Sequence, residues 1–314
     1  MKIVTAQQLD TKTILGIIPD AKVVSVKSQE ELLRESLDTE IVFGVSSTVF
    51  RTLLLESRTL RWAHTSTAGA DHYISKELQE SSVILTCAKG GPAGRNLAEH
   101  ALGLALALSR NIGEAARSKH WRRRDLSPGA FELSGRTAGI AGFGAAGHDM
   151  VQLLSGFNMA VYAIKRTPPF DSSRRLQVLS PRQFDTMCTK SDVIFNFLPE
   201  TAETYRIFSR KAFGTMKASA LFVNVGRGST VDTEALVAAL QSGSIAGAGL
   251  DTVDPEPLPE NHPLWSMSNV VISPHIAGSS PERVERNKQL FLENLKRYSD
   301  GKPLLNVVNP EAGY

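Results

Sequence analysis

The sequence predicts an α/β fold built from two doubly wound parallel-sheet domains. Three observations carry that expectation. At 314 residues the chain is longer than one core readily organises. Short apolar runs alternate with helical stretches along its length, the pattern of parallel strands joined by crossover helices. Near the middle a glycine-rich turn separates an apolar run from a helical one. The composition, 42% hydrophobic and 21% charged, is ordinarily globular and excludes disordered and collagen-like chains.

The elements follow in order. "KIVTA", "AKVVSV", "EIVFGVS" and "RWAHTST" read as strands, with helical segments such as "SQEELLRESL" between them. A long helical pattern runs from about Asn96 to Lys119, apolar enough to join two domains and to pack against a second subunit. Within it "ALGLALALS" is too short to cross a bilayer and reads as a buried helix. The polar stretch "RRRDLSPGAFELSGR" leads into a second set of strands and helices, and one more helix, "ERVERNKQLFLENLKRYSDG", follows Pro281. The formal net charge of +3 is small for a nucleic-acid-coating protein. The one basic run, Lys119 to Arg124, reads as a solvated helix end or subunit edge. Cys87 and Cys188 are isolated, which argues against a disulfide framework or a metal site and for reduced thiols. The N-terminal stretch resembles neither a secretory signal nor a membrane span, so a soluble cytoplasmic protein is expected.

The turn in "RTAGIAGFGAAGHDMVQLL" places Gly142, Gly144 and Gly147 in G-x-G-x-x-G spacing. "TAGIA" before it suits a buried strand, and "HDMVQLLSGF" after it suits a helix. The first glycine permits the tight turn, the second lets backbone approach a pyrophosphate, and the third lets helix pack on strand. The backbone of Gly142, Gly144, Ala145, Ala146 and Gly147, at a helix N-terminus, is therefore the candidate phosphate cradle of a Rossmann-like dinucleotide-binding domain. A second strand, "AVYAI", ends at Lys165, Arg166 and Thr167. Lys165 stands eighteen positions after Gly147, near where NAD-binding domains place a carboxylate for the ribose 2′-OH. Two cations and a hydroxyl there suit a 2′-phosphate, so NADP(H) is the expected cofactor and NAD(H) a possible one.

Three further segments set polar groups beyond buried-looking strands. "LFVNVGRGSTVD" holds Arg227 between two glycines, "IAGAGLDTVDPEPLP" carries Asp251 and Glu256, and "NVVISPHIAGSS" carries His275. In an open α/β sheet ligands bind outside the carboxyl ends of the strands. Arg offers a planar fork to a carboxylate, His exchanges a proton near neutral pH, and Glu fixes the imidazole tautomer.

With these segments on the page, the chain resembles the D-isomer-specific 2-hydroxyacid dehydrogenase family, which includes glyoxylate and hydroxypyruvate reductases. The likeness runs from "TSTAGADHY" through "NLAEHALGLALALSRNI", the glycine turn, "NVGRG", "DPEPLP" and "SPHIAGSS" to "GKPLLNVVNP". It implies that Arg227 binds and polarises a 2-oxo acid, that His275 is the acid/base, and that Glu256 is its partner. It places Asp251 beside the nicotinamide and assigns backbone N–H groups around Ala68 and Gly69 to the substrate carboxylate. It also implies an outer domain from both chain ends (1–96 and 288–314), a dinucleotide-binding domain with a dimer helix (97–287), and a homodimer.

Departures from the family pattern matter as well. Lys165 stands where many members have Asp, and Ala145 where many have Arg, while "CAKGGPAGRN" with Lys89 and Arg95 replaces the commoner loop near the substrate. The pocket loops around Ser46 and Lys89 carry no legible substrate code. The expected activity is reduction of a small 2-oxo acid to the D-2-hydroxy acid, with no nucleic-acid, membrane or metal partner. A dinucleotide-sensing corepressor or scaffold of the same fold, and a phosphite-type dehydrogenase, are the alternatives. His64, His72, His100, His120, His148 and His262 are assigned no role and read as surface or satisfied buried imidazoles.

Overall fold

The computed structural model describes residues 1–167 and 172–311. The chain divides into two compact units, residues 1–93 with 280–314 and residues 94–279. The family resemblance implies limits after residues 96 and 287. The later one falls earlier because the whole C-terminal helix belongs to the first unit.

In the first unit β1 (Lys2–Thr5), β2 (Lys22–Ser25), β3 (Ile41–Phe43), β4 (Trp62–His64) and β5 (Ile84–Thr86) form a parallel sheet in the order β2-β1-β3-β4-β5. Helices α1 (Thr11–Ile17), α2 (Gln29–Ser36), α3 (Ser47–Glu56) and α4 (Lys76–Glu80) connect the strands. Each starts at a polar cap, Asp10, Ser28, Ser46 and Ser75, whose side chain accepts a backbone N–H that the helix leaves unpaired. Ser46, one of the expected pocket residues, is thus a helix cap.

Helix α5 (Gly91–Ser109) does not run unbroken to Lys119. Asn111 adopts a left-handed conformation, φ 53°, and its amide donates to Leu126 O, so the chain restarts as α6 (Ile112–Arg117) and then α7 (Arg123–Leu126). Asn tolerates that conformation better than most residues, and helical periodicity alone does not reveal it.

The second unit is a seven-stranded parallel sheet. Its strands are β6 (Thr137–Ala141), β7 (Ala160–Ile164), β8 (Leu176–Leu179), β9 (Val193–Asn196), β10 (Leu221–Asn224), β11 (Gly247–Leu250) and β12 (Val270–Ile272). Their order is β12-β11-β10-β9-β6-β7-β8, so winding reverses between β6 and β9. Helices α8 (Ala145–Ser155), α9 (Phe184–Lys190), α10 (Arg210–Thr215) and α11 (Thr233–Gln241) complete the crossovers. The strands are nearly continuous apolar runs because α/β sheets are covered on both faces.

Helix α12 (Pro281–Ser299) returns to the first unit. Its Phe291 stacks on Phe43 at 4.3 Å and on Trp62 at 5.1 Å, all three fully buried. Beside them His64 is sealed, with Nδ1 2.7 Å from Thr86 Oγ1 and Nε2 3.0 Å from Asn287 Oδ1. The amide oxygen of Asn287 only accepts, so Nε2 carries a proton.

Burial pushes the His64 imidazole from its ordinary 6.5 down to about 4. Between those values the unfolded chain binds a proton that the folded chain refuses, so stability falls as pH drops through this window. The loss from about pH 7 to about pH 4 is on the order of 3 kcal/mol from this residue alone. His64→Gln keeps polar contacts without the titration. Denaturant unfolding at both pH values should show a shallower decline for this variant, and equal declines would exclude His64 as the titrating group.

Candidate active site

The glycine turn follows β6 as the spacing requires. Gly142 has φ 97°, and a Cβ there would meet the Phe197 carbonyl carbon and oxygen at 3.0 Å. A Cβ at Gly147 would lie 2.8 Å from Gly142 O, so α8 packs closely against the strand end. Gly144 caps α8 without a side chain and has nothing within 4 Å of a Cβ position. The open space therefore lies at the helix N-terminus, where unpaired N–H groups face outward and suit a phosphate. The His148 ring stacks on Phe143 at 4.1 Å within this turn.

Phe143 N donates to Ile164 O at 2.9 Å, which ties the turn to the end of β7 and brings Lys165, Arg166 and Thr167 to the same sheet edge. Lys165 is half-buried, whereas Arg166 and Thr167 are exposed. The Glu203 carboxyl is held below the ordinary carboxylate range by its own backbone N–H and the Thr201 hydroxyl, and also by Arg166. A carboxylate that sequence reasoning did not foresee thus acts on one of the two cations.

Arg227 follows β10 in a loop fixed by close packing. A Cβ at Gly226 would lie 2.7 Å from Leu198 O, and one at Gly228 only 1.8 Å from Val253 O. Two buried amides hold this loop from below. Asn196 Nδ2 donates to Asn224 Oδ1 at 2.9 Å and to Thr230 Oγ1 at 2.7 Å, while its oxygen accepts Leu198 N at 3.1 Å. Asn224 Oδ1 accepts Gly226 N at 3.1 Å, and its nitrogen donates to Thr252 O and Arg227 O. Neither Asn was foreseen as important. The available signal was an Asn closing each of two otherwise apolar strands, in "VIFN" and "LFVN".

Glu256 and His275 meet as expected, with Nδ1 2.8 Å from Oε2 and both side chains partly exposed. The carboxylate accepts from Nδ1–H, which leaves Nε2 for chemistry. Val253 N donates to the other Glu256 oxygen at 3.3 Å. Asp251 is only 2% exposed. It accepts Ser273 Oγ–H at 2.6 Å and Ile276 N at 2.9 Å on one oxygen, and Ala277 N at 2.9 Å on the other. Burial alone raises its carboxyl, yet His100, Ser273 and those two N–H groups together hold it below the ordinary value.

In the first unit Ala68 and Gly69 lie between β4 and a short turn of 3₁₀ helix, Asp71–Tyr73. Thr67 Oγ1 donates to Gly69 O at 2.7 Å and Ala88 N to Thr67 O at 2.8 Å, which fixes the segment. Lys89 reaches Val307 O at 3.0 Å. In the second unit Arg95 pairs with Glu99 at 2.7 Å on α5. Among the described residues no group of three or more His, Cys, Asp or Glu side chains could hold a metal ion. No helix there is long and apolar enough to cross a membrane.

The chain is similar to several known proteins. Residues 102–277 match the family described as D-isomer specific 2-hydroxyacid dehydrogenase, NAD binding domain. A glyoxylate reductase of Thermofilum pendens is 34% identical over 294 residues, covering 90% of this chain and 85% of that one. Glyoxylate/hydroxypyruvate reductase B of Salmonella schwarzengrund is 34% identical over 285 residues, 86% of this chain and 85% of its own. Among solved structures, a D-isomer specific 2-hydroxyacid dehydrogenase family protein of Aeromonas salmonicida superposes with a TM-score of 0.82 at 25% identity, covering 98% and 99% of the two chains.

The glycines of the two loops differ in what a methyl group does. Gly228→Ala forces a carbon into backbone and should destabilise the fold by about 1–3 kcal/mol or more, as overpacking does. Gly144→Ala enters open space, so it should leave the melting temperature nearly unchanged while weakening dinucleotide binding. Thermal melts together with a fluorescence titration of NADPH check both. Undiminished binding by Gly144→Ala would show that no phosphate approaches there.

Proposed function

The chain belongs to the D-isomer-specific 2-hydroxyacid dehydrogenase family, and on that premise we propose that it reduces a small 2-oxo acid to the D-2-hydroxy acid, with NADPH favoured over NADH. The observation that carries the reading is the Glu256–His275 pair at 2.8 Å on the sheet edge that also presents Arg227 and the glycine turn. The names of the two reductase relatives point to glyoxylate and hydroxypyruvate as first substrates to try.

When bound, the nicotinamide supplies the hydride that reaches the substrate carbonyl carbon. Everything else falls to the chain's own residues. Glu256 accepts from His275 Nδ1–H and fixes the direction of the ring, and Nε2 delivers a proton to the carbonyl oxygen. Arg227 holds the carboxylate and the carbonyl oxygen with its fork and stabilises the negative charge that develops there. Asp251 fixes the backbone of Ile276 and Ala277, where the nicotinamide would be held. Gly142, Gly144, Ala145, Ala146 and Gly147 cradle the pyrophosphate, and Lys165, Arg166 and Thr167 receive the 2′-phosphate. A homodimer and a reducing cytoplasmic setting complete the reading, the latter in keeping with two buried thiols.

Replacing His275 by Gln should lower kcat by about a hundredfold or more, the usual size of a lost acid/base, while NADPH binding survives. Steady-state rates with glyoxylate and hydroxypyruvate test this, and near-normal turnover would remove His275 from its role. Inactivity of the unaltered enzyme on every 2-oxo acid, with turnover of phosphite, would instead favour phosphite oxidation.

The cofactor preference is tested separately. A 2′-phosphate carries about −1.5 to −2 charges, so NADPH should exceed NADH in kcat/KM by roughly tenfold to a hundredfold, more at low salt. Lys165→Asp with Arg166→Ala should erase or invert the ratio through the cofactor KM. Equal efficiencies in the unaltered enzyme would show that the cations do not select the phosphate.

A further inference from the structure

The His275 backbone is held where few side chains rest. Its φ is 53°, in the left-handed region, and for a non-glycine residue such a conformation persists only when its surroundings over-determine it. Apolar packing is not the whole of that constraint, since the next residue, Ile276, is 47% exposed. Hydrogen bonds supply the rest. His275 N donates to Asp251 O at 2.9 Å and Ser273 O at 3.0 Å, and the Asp251 carboxylate takes the N–H groups of Ile276 and Ala277.

Helix α5 clips both ends of this loop. Asn96 Nδ2 donates to Ala277 O at 2.9 Å, and His100, one turn later on the same face, places Nε2 2.7 Å from Ser273 Oγ. The direction of the second bond follows from its neighbours. Asp251 is ionised and only accepts, so Ser273 Oγ–H points to Asp251 Oδ1. The hydroxyl oxygen then accepts from His100 Nε2–H, which also lies 3.4 Å from Asp251 Oδ1. His100 therefore orients the serine that orients the carboxylate that fixes the catalytic loop.

We propose that His100 is a positioning residue for His275, acting through Ser273 and Asp251. The inference rests on the reading of His275 as proton donor, and it adds a residue that none of the catalytic motifs contains. His100 itself touches neither substrate nor cofactor in this scheme.

Three variants test it. His100→Leu should lower kcat by roughly tenfold, the size of one lost positioning hydrogen bond, with the KM of the 2-oxo acid within about twofold because Arg227 is untouched. His100→Gln keeps an N–H donor and should recover most of kcat. Ser273→Ala breaks the relay at its middle, and its effect should not add to that of His100→Leu in the double variant. Hydrogen exchange, read by mass spectrometry without substrate, gives an independent measure. Residues 273–279 should exchange roughly tenfold faster in His100→Leu, while residues 220–228 stay as protected as before. The proposal is overturned if kcat and local exchange are unchanged, if Gln fails to rescue, or if exchange rises equally in both segments. Should the unaltered chain reduce no 2-oxo acid, the proposed function fails, and the exchange comparison still decides the positioning.

Discussion

Loops that leave the carboxyl ends of a parallel sheet carry N–H and C=O groups that no neighbouring strand can pair, and the candidate site depends on how these are satisfied. Three buried side chains do it. Asn196 ends β9, Asn224 ends β10 in register with it, and Asp251 follows β11 directly, its N–H donating to Asn224 O at 2.8 Å. Each is at most 2% exposed. Burying such groups is costly unless they are fully bonded, and here their partners are the loops that carry the candidate residues. The row of amide, amide and carboxylate sets Leu198, Gly226 and Arg227, and the residues either side of His275.

This arrangement separates precision from exposure. The Arg227 backbone is locked by two glycines against Leu198 and Val253, so it has no room to relax. His275 and Glu256 remain partly open to solvent while their backbone is held from beneath. A buried polar layer thus lies under an exposed imidazole and fixes its backbone. The same economy appears in the first unit, where Thr67 and Ala88 fix the Ala68–Gly69 segment by hydrogen bonds to its carbonyls and neighbours.

At the other end of the sheet edge the electrostatics are less one-sided than the local sequence implies. Lys165 and Arg166 follow β7 beside the glycine turn, yet Glu203, nearly forty positions later, acts on Arg166. Of the two adjacent cations, Lys165 is half-buried at the strand end and Arg166 is exposed. The field at a strand end is set by the local sum of charges rather than by counting basic residues.

What the sequence by itself determined is local. Alternating apolar runs specified the strands, and "TAGIA" and "AVYAI" coincide with β6 and β7 to the residue. The glycine spacing specified the turn because only glycine satisfies the left-handed φ at 142 and the close approach at 147. Arg227, Glu256 and His275 were legible as polar residues beyond strands. The tertiary structure alone decided the rest. It broke the long helix at Asn111, gave α12 to the first unit through Phe291, and joined His100 to Ser273 and Asp251 across more than 150 positions. It also placed Asn196 against Asn224 and Glu203 near Arg166. Hydrogen bonds and charges act over a few ångströms of space whatever the distance along the chain, so their partners are chosen by packing, which periodicity and spacing do not encode.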